Sequence, residues 1–481
     1  MGVENVDERM SDATAKNYDL SAYPFNGVPK PFSHQIETTM FVLERDRCFV
    51  WNDLGTGKTW SAVWAIDILM QLGEVRNALI VAPLSTLEIV WLRTFFHLNS
   101  NQEVQVLRGT ADQRRQRLYP LYQNKPAVRI VNPDALHIIQ DSDALSEYDM
   151  ILVDESAMFR NAKARRVKAL NKICSKMKRV VMMTGSPCPE APTDVWATAR
   201  IIVPDRVPRY FGAFRDLTMR KISMFKWVAL PDAQEKISAM LDGKVIRYTR
   251  DECIDLPESQ HHTVELEPSK QQKQMISEMR KAAVTMYEEN TVHAANEAVV
   301  ISKILQIASG AVKYADGDEK GVIPVDCKAK FDALEEILEA STQPVIVFCP
   351  YRAAIDRIAK IFSDEKRYTV QVVTGDTKPA DRMQAFDALQ SGLVKLLVAH
   401  PQAIAHGITL TNSNIICWWT PVYSHETYEQ ANGRITRPGQ TRNQYIIHLT
   451  CSDLERKVLK KLEAKQQLQG SLLEYLQRST I

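Results

Sequence analysis

The chain has 481 residues, 45% hydrophobic and 25% charged, with a formal net charge of +2 at pH 7. That composition belongs to a globular protein that needs no metal or disulfide framework to fold, and the length calls for two to three domains. A balance so near neutral neither requires nor forbids a nucleic-acid partner, because binding depends on where the charge sits.

Met1 to Asp19 is polar and acidic, without the apolar stretch of a signal peptide, and no apolar run approaches the ~20 residues a membrane span needs. Residues 1–22 therefore read as a flexible leader of a soluble, cytoplasmic protein. From about 35 to 203, short apolar runs alternate with helical patterns. Cys48-Phe-Val-Trp51, Ala78-Leu-Ile-Val-Ala82, Val128-Arg-Ile-Val131, Met150-Ile-Leu-Val153 and Val180-Val-Met-Met183 have strand length. Strands alternating with helices predict βαβ units and a parallel sheet.

The first strand leads into Asn52-Asp-Leu-Gly-Thr-Gly-Lys-Thr59, followed at once by a helical pattern. Strand, glycine loop, helix is the context of a phosphate-binding loop. Gly55 and Gly57 let backbone N–H groups turn toward an anion, Lys58 brings a charge to β and γ phosphates, and the Thr59 hydroxyl suits Mg²⁺. The strict pattern has glycine where this chain has Asn52. Further on, Ile151-Leu-Val-Asp154-Glu155 ends an apolar strand in two carboxylates. Asp154 suits Mg²⁺ through water, and Glu155 can polarise an attacking water.

Between Arg160 and Arg179 lie nine lysines and arginines and no acid. This is either a solvated face or a phosphate-contacting one. Residues 205–250 interleave bases with aromatics, as in Arg209-Tyr-Phe211, Phe214-Arg215, Arg220-Lys221 and Phe225-Lys-Trp227. They form either a small hydrophobic core with a basic rim or a nucleic-acid contact, within a first domain spanning 23–250. Residues 268–310 read as long helix, so 251–325 is expected to be a helical insert and linker.

After Pro324 the alternation resumes with Val345-Ile-Val-Phe348, Thr369-Val-Gln-Val-Val373, Lys395-Leu-Leu-Val398, Asn414-Ile-Ile-Cys417 and Tyr445-Ile-Ile-His448. A second α/β domain over 326–452 follows. It carries Gln430-Ala-Asn-Gly-Arg434-Ile-Thr-Arg437, whose two arginines, three apart on a helix, face one side and suit the charge developing on a γ-phosphate. Residues 453–481 form a charged amphipathic helix with Asp453 at its cap, which either braces the domains or docks a protein partner. The eight cysteines contain no Cys-x-x-Cys pair and read as buried, reduced thiols.

In order and content these motifs resemble the superfamily 2 helicases, and within them the Swi/Snf-like DNA translocases, over about residues 30–450. Pro31-Phe-Ser-His-Gln35 resembles the adenine-reading element, with Gln35 as base contact. Asp53 to Thr59, including Thr56, resembles motif I. Ala82-Pro83-Leu84-Ser85-Thr86 with Trp91 is similar to motif Ia, and Asn132 sits where a further strand-contacting motif belongs. Asp154-Glu-Ser-Ala157 resembles motif II, although the group has Asp-Glu-Ala-His. Thr184-Gly185-Ser186-Pro187 resembles motif III, which couples the domains. Val347 to Tyr351 resembles motif IV, and Thr374-Gly375-Asp376 the element after it. His406-Gly407-Ile-Thr409-Leu-Thr411 is similar to motif V, and Gln430 to Gln440 to motif VI.

The resemblance implies two tandem RecA-like domains, a helical insert over about 205–250, ATP and Mg²⁺ as cofactors, and a compact form like those of phages and bacteria. It implies a nucleic-acid path over Pro83, Leu84, Ser85, Thr86, Asn132, Thr374, Gly375, Thr409 and Thr411, coupling through Thr184, Gly185, Ser186 and Gln430, and Gly407 near the nucleotide. The expected activity is ATP-driven translocation on duplex DNA by a monomer. A strand-separating or annealing helicase on forked DNA or RNA, and a nucleotide-gated binding module, stay open as alternatives.

Overall fold

The computed structural model describes residues 18–21, 23–25, 30–99, 101–188, 191–223, 227–253, 259–288, 294–316, 319–366, 368–404, 408–437 and 439–464. The chain divides into two compact units, the first reaching Cys253 and the second beginning at Ile254.

In the first unit, β1 (Arg47–Val50), β2 (Asn77–Val81), β3 (Glu103–Val106), β4 (Ala127–Val131), β5 (Met150–Val153) and β6 (Arg179–Met183) follow in chain order. An antiparallel hairpin of β7 (Met219–Lys221) and β8 (Trp227–Ala229) comes next, then β9 (Val245–Ile246). The sheet runs β3-β4-β2-β5-β6-β1-β9 and is parallel throughout. Its central strands are fully buried because both faces are covered. Alternate residues divide between two cores: Phe49, Leu79, Ile151 and Val180 face one, while Cys48, Ile80, Leu152 and Val181 face the other. Period-two alternation of side chains produces that division.

The second unit has β10 (Ser259–Glu265), a hairpin of β11 (Ala311–Asp316) and β12 (Glu319–Pro324), and then β13 (Val345–Phe348), β14 (Val370–Val373), β15 (Leu396–Ala399), β16 (Ile415–Trp418) and β17 (Gln444–Thr450). Its sheet, β10-β17-β16-β13-β15-β14, is also parallel. Both units thus have the α/β parallel-sheet architecture expected of tandem RecA-like domains.

Several local expectations need correction. The leader docks in part: Tyr18 is buried and its hydroxyl donates to Glu74 at 3.0 Å. Residues 1–17 and 22 lie outside the described residues. The 205–250 insert is not wholly helical, since it holds the β7–β8 hairpin between the helices Phe211–Thr218 and Ala233–Leu241. Its Phe214 joins the core, while the Arg215 guanidinium lies 3.8 Å over the Trp227 ring. Phe225 and Lys226 lie outside the described residues. The 251–325 segment contributes β10 to the second sheet, beside the helices Lys270–Glu288 and Ala294–Ser309. β10 is polar and largely exposed, as an edge strand tolerates, so it carried no apolar signal.

At 453–464 the C-terminal helix is capped by Ser452, whose Oγ accepts from the Glu455 backbone N–H at 3.3 Å, and not by Asp453. Residues 465–481 lie outside the described residues. Some of the nine bases of the 160–179 run have acidic partners. Lys172 and Lys178 pair with Asp141 and Asp149, and Arg179 is buried against Glu74. All eight cysteines are free, and most are buried.

Candidate active site

Because the first sheet is parallel, the C-terminal ends of β1, β2, β4, β5 and β6 share one edge, where α/β sheets place their sites. Each of those strands delivers one of the motifs. β1 opens into the loop 51–57, which feeds the helix Lys58–Gln71. Gly55 and Gly57 have φ of +89° and +82°, conformations that favour glycine, and a Cβ on Gly57 would collide with the Gln35 amide. The loop therefore needs glycine for shape and for the close approach of Gln35.

Lys58 folds back over the loop, its Nζ donating to the carbonyls of Asn52 at 2.6 Å and Asp53 at 2.9 Å. Thr56 is turned inward, its hydroxyl donating to the Asp53 carbonyl at 2.8 Å. Gln35 is buried and its Nε2 reaches the Thr56 carbonyl at 3.4 Å. Thr59 lies half-buried in the first helical turn. A turn of N–H groups at a helix N-terminus, with a lysine hinged beside it, fits the phosphates of a nucleotide.

Asp53 tethers the loop. Its carboxylate accepts from the Arg250 backbone N–H at 3.2 Å and lies 3.7 Å from the Arg247 guanidinium. Asn52, the departure from the strict loop, is a second tether. Its Nδ2 donates to Thr38 Oγ1 at 2.8 Å, and its Oδ1 accepts from the Tyr248 N–H at 3.1 Å.

β5 presents Asp154 and Glu155. Asp154 Oδ2 accepts from Trp91 Nε1 at 2.9 Å, and Oδ1 accepts from the Glu155 N–H at 3.0 Å. Burial raises the Asp154 carboxyl above the ordinary aspartate value, against the opposing pull of the Trp91 N–H, the Lys58 charge and the Glu155 N–H. Glu155 sits in the left-handed region at φ +52°, a strained backbone for a residue other than glycine. Among the described residues no cluster of three acidic, histidine or cysteine side chains forms a metal cage. Thr59 and Asp154 nonetheless fit a Mg²⁺ that arrives with phosphates, since that ion takes few protein ligands.

β6 ends in Thr184-Gly185-Ser186. The Thr184 Oγ1 accepts from the Ser186 N–H at 3.1 Å, and a Cβ on Gly185 would press on Leu54 of the phosphate loop at 3.2 Å. The structure therefore brings Gln35, the glycine loop, Asp154, Glu155 and the 184–186 turn to one edge of the first unit.

The expected nucleic-acid residues of this unit lie at the ends of β2 and β4. Leu84 is 65% exposed, whereas Pro83 and Thr86 are buried and the Thr86 hydroxyl donates to the Pro83 carbonyl at 2.9 Å. Asn132 is half-buried and accepts from Arg114 at 3.1 Å.

In the second unit, Thr374 is buried and its Oγ1 accepts from Arg352 at 2.7 Å, while Gly375 faces open space. Thr409 is exposed and accepts from Arg437 at 3.2 Å, and the Thr411 carbonyl accepts from Gln440 at 3.1 Å. Gly407 and His406 lie outside the described residues. Gln430 is buried on the helix His425–Asn432. Arg434 and Arg437 do not sit on that helix. It stops at Asn432, before the poor helix former Gly433, and both arginines occupy the following turn. Arg434 is buried, donating to the Gln430 carbonyl at 2.8 Å and to the Ile408 carbonyl at 3.2 Å. Desolvation lowers Arg437 to about 10, which leaves it charged at neutral pH.

The sequence reading missed the tethers of Asn52 and the bond from Trp91 to Asp154. The departure from glycine at 52 was the one visible signal, and the Trp91 contact had none.

A family model described as the SNF2-related domain matches residues 34–313, and one described as the helicase conserved C-terminal domain matches residues 329–439. The chain is 28% identical over 476 residues to "Putative protein p41" of Acyrthosiphon pisum secondary endosymbiont phage 1, covering 94% of this chain and 99% of that one. It is 23% identical to the Drosophila melanogaster "SWI/SNF-related matrix-associated actin-dependent regulator of chromatin subfamily A-like protein 1", over 91% of this chain and 56% of that one. It is 22% identical to the human "DNA annealing helicase and endonuclease ZRANB3", over 91% of this chain and 40% of that one. The chain thus spans nearly all of the phage relative and about half the length of the two animal ones.

Proposed function

This chain belongs to the SNF2-related family, and on that premise we propose that it is a motor that hydrolyses ATP and translocates along double-stranded DNA, remodelling DNA or protein–DNA complexes. It is a helicase-like ATPase by family. One observation carries the ATPase reading: the glycine loop after β1, with Lys58 folded onto its carbonyls, and Asp154 at the end of β5 lie at the same edge of one parallel sheet, with only β6 between their strands.

The residues divide the work as follows. Gly55 to Lys58 cradle the phosphates with backbone N–H groups and one ammonium. Gln35 reads the base. Thr59 and, through water, Asp154 would hold Mg²⁺, which would screen the negative charge of the phosphates. Glu155 orients the attacking water. Arg434 and Arg437 of the second unit are assigned to the charge that develops on the γ-phosphate. Thr184, Gly185, Ser186 and Gln430 are assigned to coupling. This division of labour rests on motif order and on the geometry within each unit.

The DNA part is supported by the names of the animal relatives, a regulator of chromatin and a DNA annealing helicase. Leu84, Ser85, Asn132, Gly375 and Thr409 are the assigned backbone contacts, with Pro83, Thr86, Thr374 and Thr411 shaping those loops. Contacts to phosphates rather than base edges make binding sequence-tolerant and strongly salt-dependent. The described part of the C-terminal helix is anchored in the second unit, through the ion pair of Glu455 with Lys330. No helix among the described residues is long and apolar enough to cross a membrane. Similarity to a phage protein supports action inside a bacterial host.

The human relative's name favours one second reading, annealing of forked DNA. ATP turnover measured with duplex, single-stranded DNA, forked DNA and RNA, beside triplex displacement, separates the readings. Duplex-stimulated turnover with displacement is the expected result. Turnover stimulated by RNA or by single strands alone would sink the duplex motor.

A further inference from the structure

Trp91 is fully buried, and its indole N–H ends on Asp154 Oδ2 at 2.9 Å. Asp154 is also held from behind, because its backbone N–H donates to the Val81 carbonyl at 2.8 Å. Val81 is the last residue of β2 and runs straight into the 82–86 loop. Residues 81 to 91 therefore form a closed ring whose two ends both meet at Asp154, one on its backbone and one on its carboxylate.

The ring is stiff. Thr86 closes on Pro83 twice, through its N–H and its hydroxyl, both at 2.9 Å. The Thr86 carbonyl accepts from Val90 and Trp91, both at 3.0 Å. The second of these is an i to i+5 bond, and Leu87–Leu92 is one turn of π-helix. Such a turn inserts a residue and re-aims the side chains after it, and it occurs most often at functional sites. Here it aims the Trp91 indole at the end of β5. A tryptophan packed only for its apolar bulk would need some partner for its N–H. This one takes a carboxylate assigned to the metal, although burial already makes that charge costly.

We propose that Trp91 is a positioning residue that fixes the Asp154 carboxylate for Mg²⁺ and passes to it any shift of the 82–86 loop caused by a duplex backbone lying there. This rests on the reading of the chain as a DNA-stimulated ATPase. Hydrogen bonds to a metal-binding carboxylate orient it, and their loss costs about 10- to 100-fold in metal affinity or activity. Phosphates that displace Leu84 and Ser85 pull on a short hydrogen-bonded ring, and the far end of that ring is the Trp91–Asp154 bond.

The test uses the full chain, Mn²⁺ in place of Mg²⁺, and a non-hydrolysable ATP analogue. Mn²⁺ affinity is read by electron paramagnetic resonance with and without duplex DNA, in wild type and Trp91→Phe. The expected result is that duplex changes Mn²⁺ affinity in wild type, and that Trp91→Phe binds Mn²⁺ about 10-fold or more weakly and loses the duplex effect. Its affinity for duplex stays within about 3-fold of wild type, as expected of a side chain that touches no phosphate. An equal duplex effect in Trp91→Phe and wild type overturns the inference and leaves the ATPase reading intact. A wild type that binds neither analogue nor duplex overturns that reading, and this inference with it.

Should Trp91→Phe not fold, ¹⁵N-indole spectra of the wild type decide. Of its eight tryptophans, the one whose indole signal Mn²⁺ broadens most should also shift when duplex is added. No shift of that signal overturns the inference.

Discussion

Lys330 and Glu455 form a fully buried ion pair, Nζ to Oε1 at 2.7 Å, with side chains 1% and 0% exposed. Lys330 also donates to the Trp419 carbonyl at 2.6 Å, and the other Glu455 oxygen accepts from the Cys451 N–H at 2.8 Å and the Ser452 hydroxyl at 3.1 Å. The pair ties the helix 453–464 to the helix Lys328–Ala340 and to the end of β16.

Breaking one partner of such a pair leaves the other charged and dry. Lys330→Met is expected to destabilise the second unit by about 3–5 kcal/mol in urea unfolding. Lys330→Met with Glu455→Gln should recover most of the loss, because the amide oxygen still accepts from Cys451 and Ser452. A double variant no better than the single one contradicts this assignment.

His448 stacks on His261 and shares a 3.0 Å hydrogen bond with the Tyr428 hydroxyl. Burial first, and the His261 charge second, push it down to about 4 from an ordinary value of 6.5. A depressed histidine binds its proton more readily when unfolded. Stability should therefore fall as pH drops below about 6.5, by roughly 3 kcal/mol once pH passes about 4. His448→Gln should flatten that part of the curve, as read by thermal melts from pH 7 to 4. An unchanged slope argues against a neutral His448.

Lys58→Ala and Glu155→Gln should each lower DNA-stimulated ATP turnover by at least about 100-fold while leaving duplex binding largely intact. Turnover and a filter-binding titration check the two halves. If Glu155→Gln hydrolyses ATP normally, Glu155 does not orient the water.

Asn52→Gly makes the loop match the strict pattern, yet it should destabilise the first unit. It deletes hydrogen bonds to Thr38 and Tyr248 and leaves the Tyr248 N–H without its side-chain acceptor, at a cost of about 1–3 kcal/mol. Asn52→Asp keeps the acceptor for Tyr248 and should lose less. Equal urea midpoints for wild type and Asn52→Gly would show that the tethers carry no stability.

The phosphate loop was legible in the sequence because it is local. A buried strand, two glycines with positive φ and a helix start lie within a dozen residues, and each part demands its residue type. The central strands were legible for a similar reason. Met150–Val153 and Val345–Phe348 are covered on both faces, so every position is apolar. β3, β9 and β10 were not legible. An edge strand has one neighbour and open flanks, which leaves Glu103 or His261 acceptable where a central strand would exclude them. The arginines at 434 and 437 misled for a local reason: their spacing is helical, but Gly433 ends the helix first.

By itself, then, the sequence determined the two parallel-sheet units and the chemistry offered at their strand ends, because periodicity, burial and loop shape act over neighbouring residues. Only the tertiary structure decided what steadies that chemistry. Asn52 meets Tyr248 across 196 residues, and Trp91 meets Asp154 across 63. No periodicity connects such positions, and their polar atoms find each other only once two cores have formed and water has been excluded between them.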